Sequence, residues 1–138
     1  MVKSYTDLEQ SKKLVEILPL ESADMHYSTW TILDGEFIVS PNQGSTIEDL
    51  QEDYGNQIIP CWSLAALLGV LPIVYTNNKK EVCGPLHIDI TDSETPFALW
   101  YVNPLHKGSI VELQTKEYDN LVDACYEMII KLHELNLL

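Results

Sequence analysis

The sequence Pro60-Cys61-Trp62-Ser63-Leu64-Ala65-Ala66-Leu67-Leu68-Gly69-Val70-Leu71-Pro72 is apolar on every helical face, and proline closes it at both ends. It contains no charged residue, so the pattern predicts a short helix that is buried on all sides, with Trp62 and Leu67 in the core. Pro60 suits the approach to a first helical turn, and Gly69 suits its end. We therefore expect the other elements to pack around this helix.

The length of 138 residues is sufficient for one hydrophobic core, and we predict a single globular domain over residues 1–138. The polar N-terminal residues carry no signal-peptide pattern. No apolar stretch reaches the length of about 20 residues that a membrane-spanning helix needs. We therefore expect a cytoplasmic protein without a membrane segment.

Negative charge is the strongest feature of the composition. The formal net charge is -13 at pH 7, and all eight basic residues are lysines. Nucleic-acid sites use arginine and clustered positive charge, so direct binding to DNA or RNA is not expected. Glu48, Asp49, Glu52 and Asp53 form one acidic concentration without a nearby lysine. This segment is either a solvated face that favours solubility or a docking surface for a basic protein partner.

The three cysteines, Cys61, Cys83 and Cys125, are far apart and show no C-x-x-C spacing. Their odd number and spacing predict reduced structural thiols rather than a disulfide framework or a zinc knuckle. Cys83 lies in a polar loop, which makes it the best placed of the three for a nucleophile, but a structural role is the expected one.

Two helices are predicted at the ends of the chain. The segment Thr6-Asp7-Leu8-Glu9 has capping-box spacing with Thr6 as the cap, and it predicts a helix from Asp7 to about Leu18. The last helix is predicted to start after Asp119 or Asn120 and to end at about Leu135. Its apolar stripe has helical spacing and consists of Leu121, Ala124, Cys125, Met128, Ile129, Leu132 and Leu135.

A hairpin is predicted around the two-residue turn Asp34-Gly35, which is typical of type I′ turns. The flanking strands are predicted over 27–33 and 36–40. The turn would place Trp30 opposite Val39 and Ile32 opposite Phe37.

Further strands alternate with turns between the central and final helices. In Leu86–Ile90, the residues Leu86, Ile88 and Ile90 are expected to face the core, with His87 and Asp89 on the other face. The order of elements lacks βαβ alternation. It predicts an α+β fold in which an antiparallel sheet of about four to six strands packs against an N-terminal, a short central and a long C-terminal helix.

Four segments carry a resemblance to a known group of proteins. They are TDLEQSKKL from Thr6, ILPLESADM from Ile17, residues 60–72, and the C-terminal residues 120–138, which include DACYEMIIKLHELNLL. Together these blocks resemble an uncharacterised family of small proteins from gut anaerobic bacteria and their phages and mobile elements. The chain departs from the usual pattern at Cys61 and Leu121. The resemblance implies a genomic setting and a shared scaffold, with individual function on the variable strands and loops.

Motifs for nucleotide binding, serine hydrolases and zinc proteases are absent from the sequence, which favours a protein that is not an enzyme. His87 and Asp89 share a strand face and, with His106, form a candidate metal site, although a solvated strand face is the plainer interpretation. No cofactor is predicted. We expect a non-enzymatic, acidic interaction or accessory protein of phage or mobile-element origin. The alternative is a small-molecule- or metal-binding protein, with or without enzymatic activity, that uses the variable strands and loops.

Overall fold

The computed structural model of the chain describes residues 2–28, 37–105 and 107–138, without the side chain of Asn56. These residues form four α-helices and eight strands, with short 3-10 turns at Leu20–Ser22 and Gly55–Gln57. The helices are α1 (Leu8–Val15), α2 (Ile47–Tyr54), α3 (Leu64–Val70) and α4 (Leu121–Glu134). The strands are β1 (Met25–Ser28), β2 (Ile38–Pro41), β3 (Ile58–Cys61), β4 (Tyr75–Thr76), β5 (Val82–Cys83), β6 (Leu86–Ile90), β7 (Phe97–Asn103) and β8 (Ile110–Gln114). Among these helices, none has the length and hydropathy required to cross a membrane.

The strands of the described ranges pair antiparallel in three small sheets, with the orders β2-β1-β3, β4-β5 and β6-β7-β8. The predicted α+β class is therefore confirmed. The strands do not join into the one sheet of about four to six strands that we expected. Side-chain alternation identifies a strand but not its partner, and pairing depends on contacts that the local pattern does not contain.

The chain divides into two compact units. The N-terminal unit is Ser4–Leu67, and the C-terminal unit is Leu68–Leu138 with the first residues of the chain. A single domain over the whole length stays a prediction.

Thr6 is a fully buried centre of hydrogen bonding in the N-terminal unit. Its Oγ1 lies 2.7 Å from Ser11 Oγ and accepts a hydrogen bond from the backbone N–H of Trp62 at 3.2 Å. The backbone N–H of Thr6 donates to the Trp62 carbonyl at 2.9 Å. Its carbonyl accepts a hydrogen bond from the Tyr27 hydroxyl at 2.7 Å. These bonds join the start of the chain to β1 and to the residue that follows β3.

The prediction that Thr6 caps the first helix is wrong. Asp7 is the cap, since Asp7 Oδ1 accepts from Gln10 N at 2.8 Å and Gln10 Oε1 accepts from Asp7 N at 3.1 Å. The capping-box spacing therefore occurs one residue later than predicted, because the Thr6 hydroxyl is used in the buried network. The helix itself ends at Val15, three residues before the predicted Leu18.

β1 pairs antiparallel with β2, as predicted for these two strands, but the predicted register is wrong. Val39 lies opposite Tyr27, not Trp30, and Ile38 lies opposite Ser28. β1 is the central strand of its sheet and also pairs with β3, and Tyr27 is buried, so these contacts fix the register from within the sheet. The predicted Asp34-Gly35 turn lies outside the described residues.

The central helix starts later than predicted. Ile58–Cys61 is strand β3, whose place at the edge of its sheet accommodates Pro60. α3 starts at Leu64, because Ser63 caps it by accepting a hydrogen bond from Ala66 N at 3.1 Å.

The prediction that α3 is buried on all sides is also wrong. Trp62 and Leu67 are fully buried, as expected, but Leu68 is 36% exposed. Ala65 and Gly69 are exposed as well. The uncharged sequence therefore forms an ordinary one-sided helix, in which small residues rather than charged ones occupy the outer face.

In the C-terminal unit, α4 packs against β7, the central strand of its sheet. Asn120 caps α4 by accepting a hydrogen bond from Asp123 N at 2.8 Å, as predicted. The predicted apolar stripe is buried from Ala124 to Leu132, whereas Leu135, just after the helix, is 55% exposed. Leu99 and Tyr101 of β7 are fully buried.

The prediction that Ile88 and Ile90 face the core is wrong. Their side chains are 43% and 69% exposed, and Leu86 is half-buried. β6 is an edge strand of its sheet, and α4 packs on the neighbouring strand β7. Alternation alone does not tell whether another element covers the apolar face.

Leu67→Ala tests the importance of α3 for stability. The truncation leaves a cavity at a fully buried position, so we expect the free energy of unfolding to fall by about 2–5 kcal/mol. Urea unfolding measures the change. The matched control is Leu68→Ala in the same helix, which should cost clearly less because Leu68 is partly exposed. Equal effects of the two substitutions would contradict the prediction.

Candidate functional site

The predicted acidic residues lie together on the outer face of α2. Thr46 caps this helix by accepting a hydrogen bond from Asp49 N at 3.1 Å, and Ile47 is buried beneath it. The four exposed carboxylates are those of Glu48, Asp49, Glu52 and Asp53. None of them forms an ion pair with another described residue. The sequence therefore identified a face of four exposed carboxylates that is not neutralised by any lysine of the described ranges.

An apolar groove adjoins this face within the N-terminal unit. It has a volume of about 260 Å³ and is lined by Ile58–Pro60 of β3, by Val15 and Lys12 of α1, and by Gln51 of α2. Gln51 also donates a hydrogen bond to the Ile58 carbonyl at 3.4 Å. Because Gln51 is one helical turn from Glu48, the groove and the acidic face share an edge.

The structure describes two of the three candidate metal ligands, His87 and Asp89. His87 and Asp89 lie on one face of β6, as the alternation predicts, with His87 exposed and Asp89 half-buried. The His87 ring packs beside Trp100, with centroids 6.0 Å apart and planes inclined by 31°. His106 lies outside the described residues. The described part of the chain contains no group of three His, Cys, Asp or Glu residues that could hold a metal.

A cluster of two carboxylates and two amides is the polar site that the sequence analysis missed. Asn77 Nδ2 donates to Glu81 Oε1 at 3.1 Å and to Glu112 Oε1 at 2.8 Å. Asn103 Nδ2 donates to Glu81 Oε1 at 3.2 Å and to Glu112 Oε2 at 2.9 Å. The two carboxylates therefore share both amide donors and lie within a few ångströms of each other.

Backbone bonds hold both amides in this orientation. Asn77 Oδ1 accepts from the N–H groups of Lys79 and Glu81, at 3.0 and 2.9 Å, and so organises the loop between β4 and β5. Asn103 is fully buried, and its Oδ1 accepts from Leu105 N at 3.1 Å. The nitrogen atoms of both amides consequently face the carboxylates.

A β-bulge directs Glu112 toward this cluster. Tyr101 pairs with Leu113 and Val102 pairs with Val111, so Glu112 has no opposite residue on β7. In a regular strand Glu112 and Leu113 would face opposite sides. The extra residue removes this alternation, and both side chains line the same cavity.

That cavity has a volume of about 400 Å³ and lies within the C-terminal unit. β4 and the following loop contribute residues 75–78, β8 contributes Glu112 and Leu113, and the segment after α4 contributes Leu135–Leu137. Tyr75 is buried, and its ring meets the Tyr101 ring edge to face, with centroids 5.0 Å apart. The cavity thus combines aromatic and aliphatic walls with amide groups and one carboxylate.

The three cysteines are free and buried. Burial raises the pKa of Cys61, and it raises the pKa of Cys125 from its ordinary 9.0 to about 12. For Cys83, burial and the nearby Glu112 carboxylate raise the pKa of the thiol. All three environments therefore disfavour the thiolate, which is the nucleophilic form.

The sequence offered little signal for the carboxylate–amide cluster. Asn77 and Glu112 are separated by 35 positions, and no motif links them. The local sequence showed only two polar features, the pair Asn77-Asn78 at a turn and Glu112 within an apolar strand. Comparison with known protein families, with characterised proteins and with solved structures finds no match for this chain. The resemblance described from sequence accordingly stays a prediction.

Asn103→Asp tests the cluster, because it keeps the side-chain size while replacing the donors by a third carboxylate. We expect a loss of at least about 1–3 kcal/mol in the free energy of unfolding at pH 7, measured in urea. The matched control is Asn78→Asp, at an exposed position, with an expected change under about 0.5 kcal/mol. If Asn103→Asp and Asn78→Asp both change the free energy of unfolding by less than about 0.5 kcal/mol, the fold does not need the Asn103 amide.

Thiol labelling tests the cysteine environments. At pH 8 the native protein should resist a thiol reagent at all three cysteines until it unfolds, whereas a Ser45→Cys variant should gain one fast-reacting thiol because Ser45 is exposed. For Cys125 the folded pKa of about 12 exceeds the ordinary 9.0, so burial of the neutral thiol stabilises the fold below pH 9.0.

That contribution should be lost as the pH rises through the folded pKa of Cys125, about 12. We expect the urea midpoint to decrease over this alkaline range. Rapid labelling of Cys61, Cys83 or Cys125 in the native protein at pH 8 would contradict the prediction that burial protects all three thiols.

Proposed function

We propose that this protein is a non-enzymatic interaction protein that binds a basic partner through its N-terminal unit. The observation that carries the proposal is the exposed acidic face of α2 beside an apolar groove. A net charge of -13 would attract a basic partner over distance, and the groove would supply local apolar contacts.

The acidic face of α2 and the apolar groove together define the chemistry of the partner, which is basic and amphipathic. An amphipathic segment would place apolar side chains in the groove against Ile58 and Ile59 and direct lysine or arginine side chains toward α2. Lys12 borders the groove from α1 and lies 3.9 Å from Glu9. Because the Lys12 ammonium lies on the α1 side of the groove, it would repel basic side chains of a partner there. The partner would therefore bind with its positive charges on the α2 side.

The strength of the electrostatic attraction determines how large a change in affinity an experiment must be able to detect. An exposed ion pair contributes about 0.2–1 kcal/mol. Four such pairs on α2 together would contribute about 1–4 kcal/mol, or about fivefold or more in affinity. Their effect should weaken with salt, since the Debye length falls from about 8 Å at physiological ionic strength to about 3 Å at 1 M.

The probe for the test is a short amphipathic helical peptide made of leucine and lysine, and its control has glutamate in place of lysine. Binding is measured by fluorescence anisotropy over a salt series. We expect the lysine peptide to bind with strong salt dependence and the glutamate peptide not to bind. Binding of neither peptide, or binding indifferent to salt, would contradict the proposal.

Neutralising α2 gives the residue-level prediction. The variant Glu48→Gln, Asp49→Asn, Glu52→Gln, Asp53→Asn should bind the lysine peptide about fivefold or more weakly and associate more slowly, with the fold retained. The charge-matched control neutralises four exposed acids of the C-terminal unit and is Asp92→Asn, Glu94→Gln, Glu117→Gln, Glu134→Gln. If both variants lose affinity equally, net charge rather than the α2 face is responsible.

A further inference from the structure

We propose that the outer edge of β6 binds an extended segment of a partner protein in which a lysine or arginine lies between two apolar residues. The segment would add an antiparallel strand to the sheet β6-β7-β8, with its basic side chain opposite Asp89. This site lies in the C-terminal unit and involves no residue of the acidic face of α2. It is therefore independent of the function proposed above.

The hydrogen bonds of β7 show which backbone groups of β6 point outward. Phe97 and Leu99 use both their N–H and their carbonyl groups to bond the segment that follows β8. These two residues lie opposite Ile90 and Ile88, respectively. In an antiparallel ladder, opposed residues either exchange both bonds or exchange none. The N–H and carbonyl groups of Ile88 and Ile90 therefore point away from β7.

The outward groups of Ile88 and Ile90 have no hydrogen-bond partner in the described part of the chain. Leu86 differs, because its N–H donates to the Ile73 carbonyl at 2.8 Å. The side chains of both isoleucines are exposed as well. The edge of β6 is thus covered as far as Leu86, and from His87 to Ile90 it offers backbone donors and acceptors beside apolar side chains.

The other outer strands of the two three-stranded sheets carry features that hinder further pairing. β2 contains Pro41, β3 contains Pro60, and β8 contains the bulge at Glu112. Proline lacks an N–H, and a bulge interrupts the ladder. Among these outer strands of the described ranges, β6 alone is regular and without proline, so it is the one best suited to pair with another chain.

A second copy of this chain fits the edge poorly. With a twofold axis at Ile88, Ile90 of the second copy would meet Leu86. Ile73 already occupies that position. An axis at Asp89 would let the isoleucines of the two copies bond each other, but it would place the two Asp89 carboxylates directly opposite. Like charges at opposed positions are destabilising and opposite charges are stabilising, so the better occupant has a basic residue there.

The surrounding charge also favours a basic segment. Asp89 is half-buried on β6, and Asp92 and Glu94 are exposed in the turn that follows. None of these three carboxylates forms an ion pair with another described residue. Because directly opposed residues share a face of the sheet, the apolar neighbours of the basic residue would contact Ile88 and Ile90. The alternation of β6 therefore specifies an apolar-basic-apolar segment.

The probe is a short capped peptide in which valine and lysine alternate, and two control peptides have threonine or glutamate in place of lysine. Binding to the full chain is followed by NMR titration at constant ionic strength. We expect the lysine peptide to bind about twofold to fivefold more tightly than the threonine peptide, with the glutamate peptide weakest. Equal binding of the lysine and glutamate peptides, or no saturable binding of the lysine peptide, would overturn the proposal.

N-methylated peptides test the backbone bonds. Methyl groups on the valine nitrogens remove the N–H groups that would donate to Ile88 and Ile90, whereas the lysine N–H groups would point away from β6. The valine-methylated peptide should therefore bind about tenfold or more weakly than the lysine-methylated one. Hydrogen exchange at the Ile88 and Ile90 amides should slow in the complex with the unmodified peptide. Equal binding of the two methylated peptides would exclude strand addition.

Three variants locate the site. Asp89→Asn should remove the preference for the lysine peptide over the threonine peptide, and the control Asp92→Asn, in the turn beyond the strand, should retain it. Ile88→Pro should abolish binding of all three peptides, because the N–H that it removes points outward and the bonds to β7 remain. If Ile88→Pro does not fold, the two methylated peptides decide.

Two further measurements exclude other occupants and other sites. The variant with the four neutralised α2 residues should bind the lysine peptide like the unchanged chain, and a loss of affinity there would place the peptide on α2 instead. Sedimentation of the free chain should show a monomer. A dimer in which the Ile88 and Ile90 amides are protected from exchange would assign the edge to a second copy and overturn the proposal.

Discussion

The buried hydroxyl and backbone of Thr6 are the constraint on which the N-terminal unit depends. A polar group without exposure to water must find partners inside the protein, or it costs about 1–3 kcal/mol. Thr6 finds them in Ser11 of α1, in Tyr27 of β1 and in the backbone of Trp62. Because these partners are far apart in sequence, the unit satisfies Thr6 only when its first helix, its sheet and the start of α3 come together.

The parts of the fold that depend on local chemistry were predictable from sequence. The Asn120 cap and the Ala124–Leu132 part of the α4 stripe follow from spacing over a single helix. Thr6 was misassigned because cap spacing does not reveal that a hydroxyl is buried. Ile88 and Ile90 were misassigned because alternation does not reveal that β6 is an edge strand.

The two candidate sites differ in the same way, since only one of them could be predicted from the sequence. The acidic face of α2 was visible in sequence because all four carboxylates belong to one helix. The carboxylate–amide cluster was not visible, because Asn77, Glu81, Asn103 and Glu112 meet only through the pairing of strands and a change of register. A face on a helix is encoded by periodicity, whereas a cavity between strands and a helix end is encoded by tertiary contacts.

The single extra residue in β8 has an evolutionary consequence. Glu112 owes its direction to the count of residues between Ile110 and Gln114 rather than to any one neighbour. Deletion of one residue there would restore regular alternation and turn an acidic side chain away from the cavity, while the hydrophobic pattern of the strand would change little. Across chains of this fold, a one-residue gap in β8 would therefore indicate the loss of the carboxylate–amide cluster better than a substitution in the walls of the cavity would.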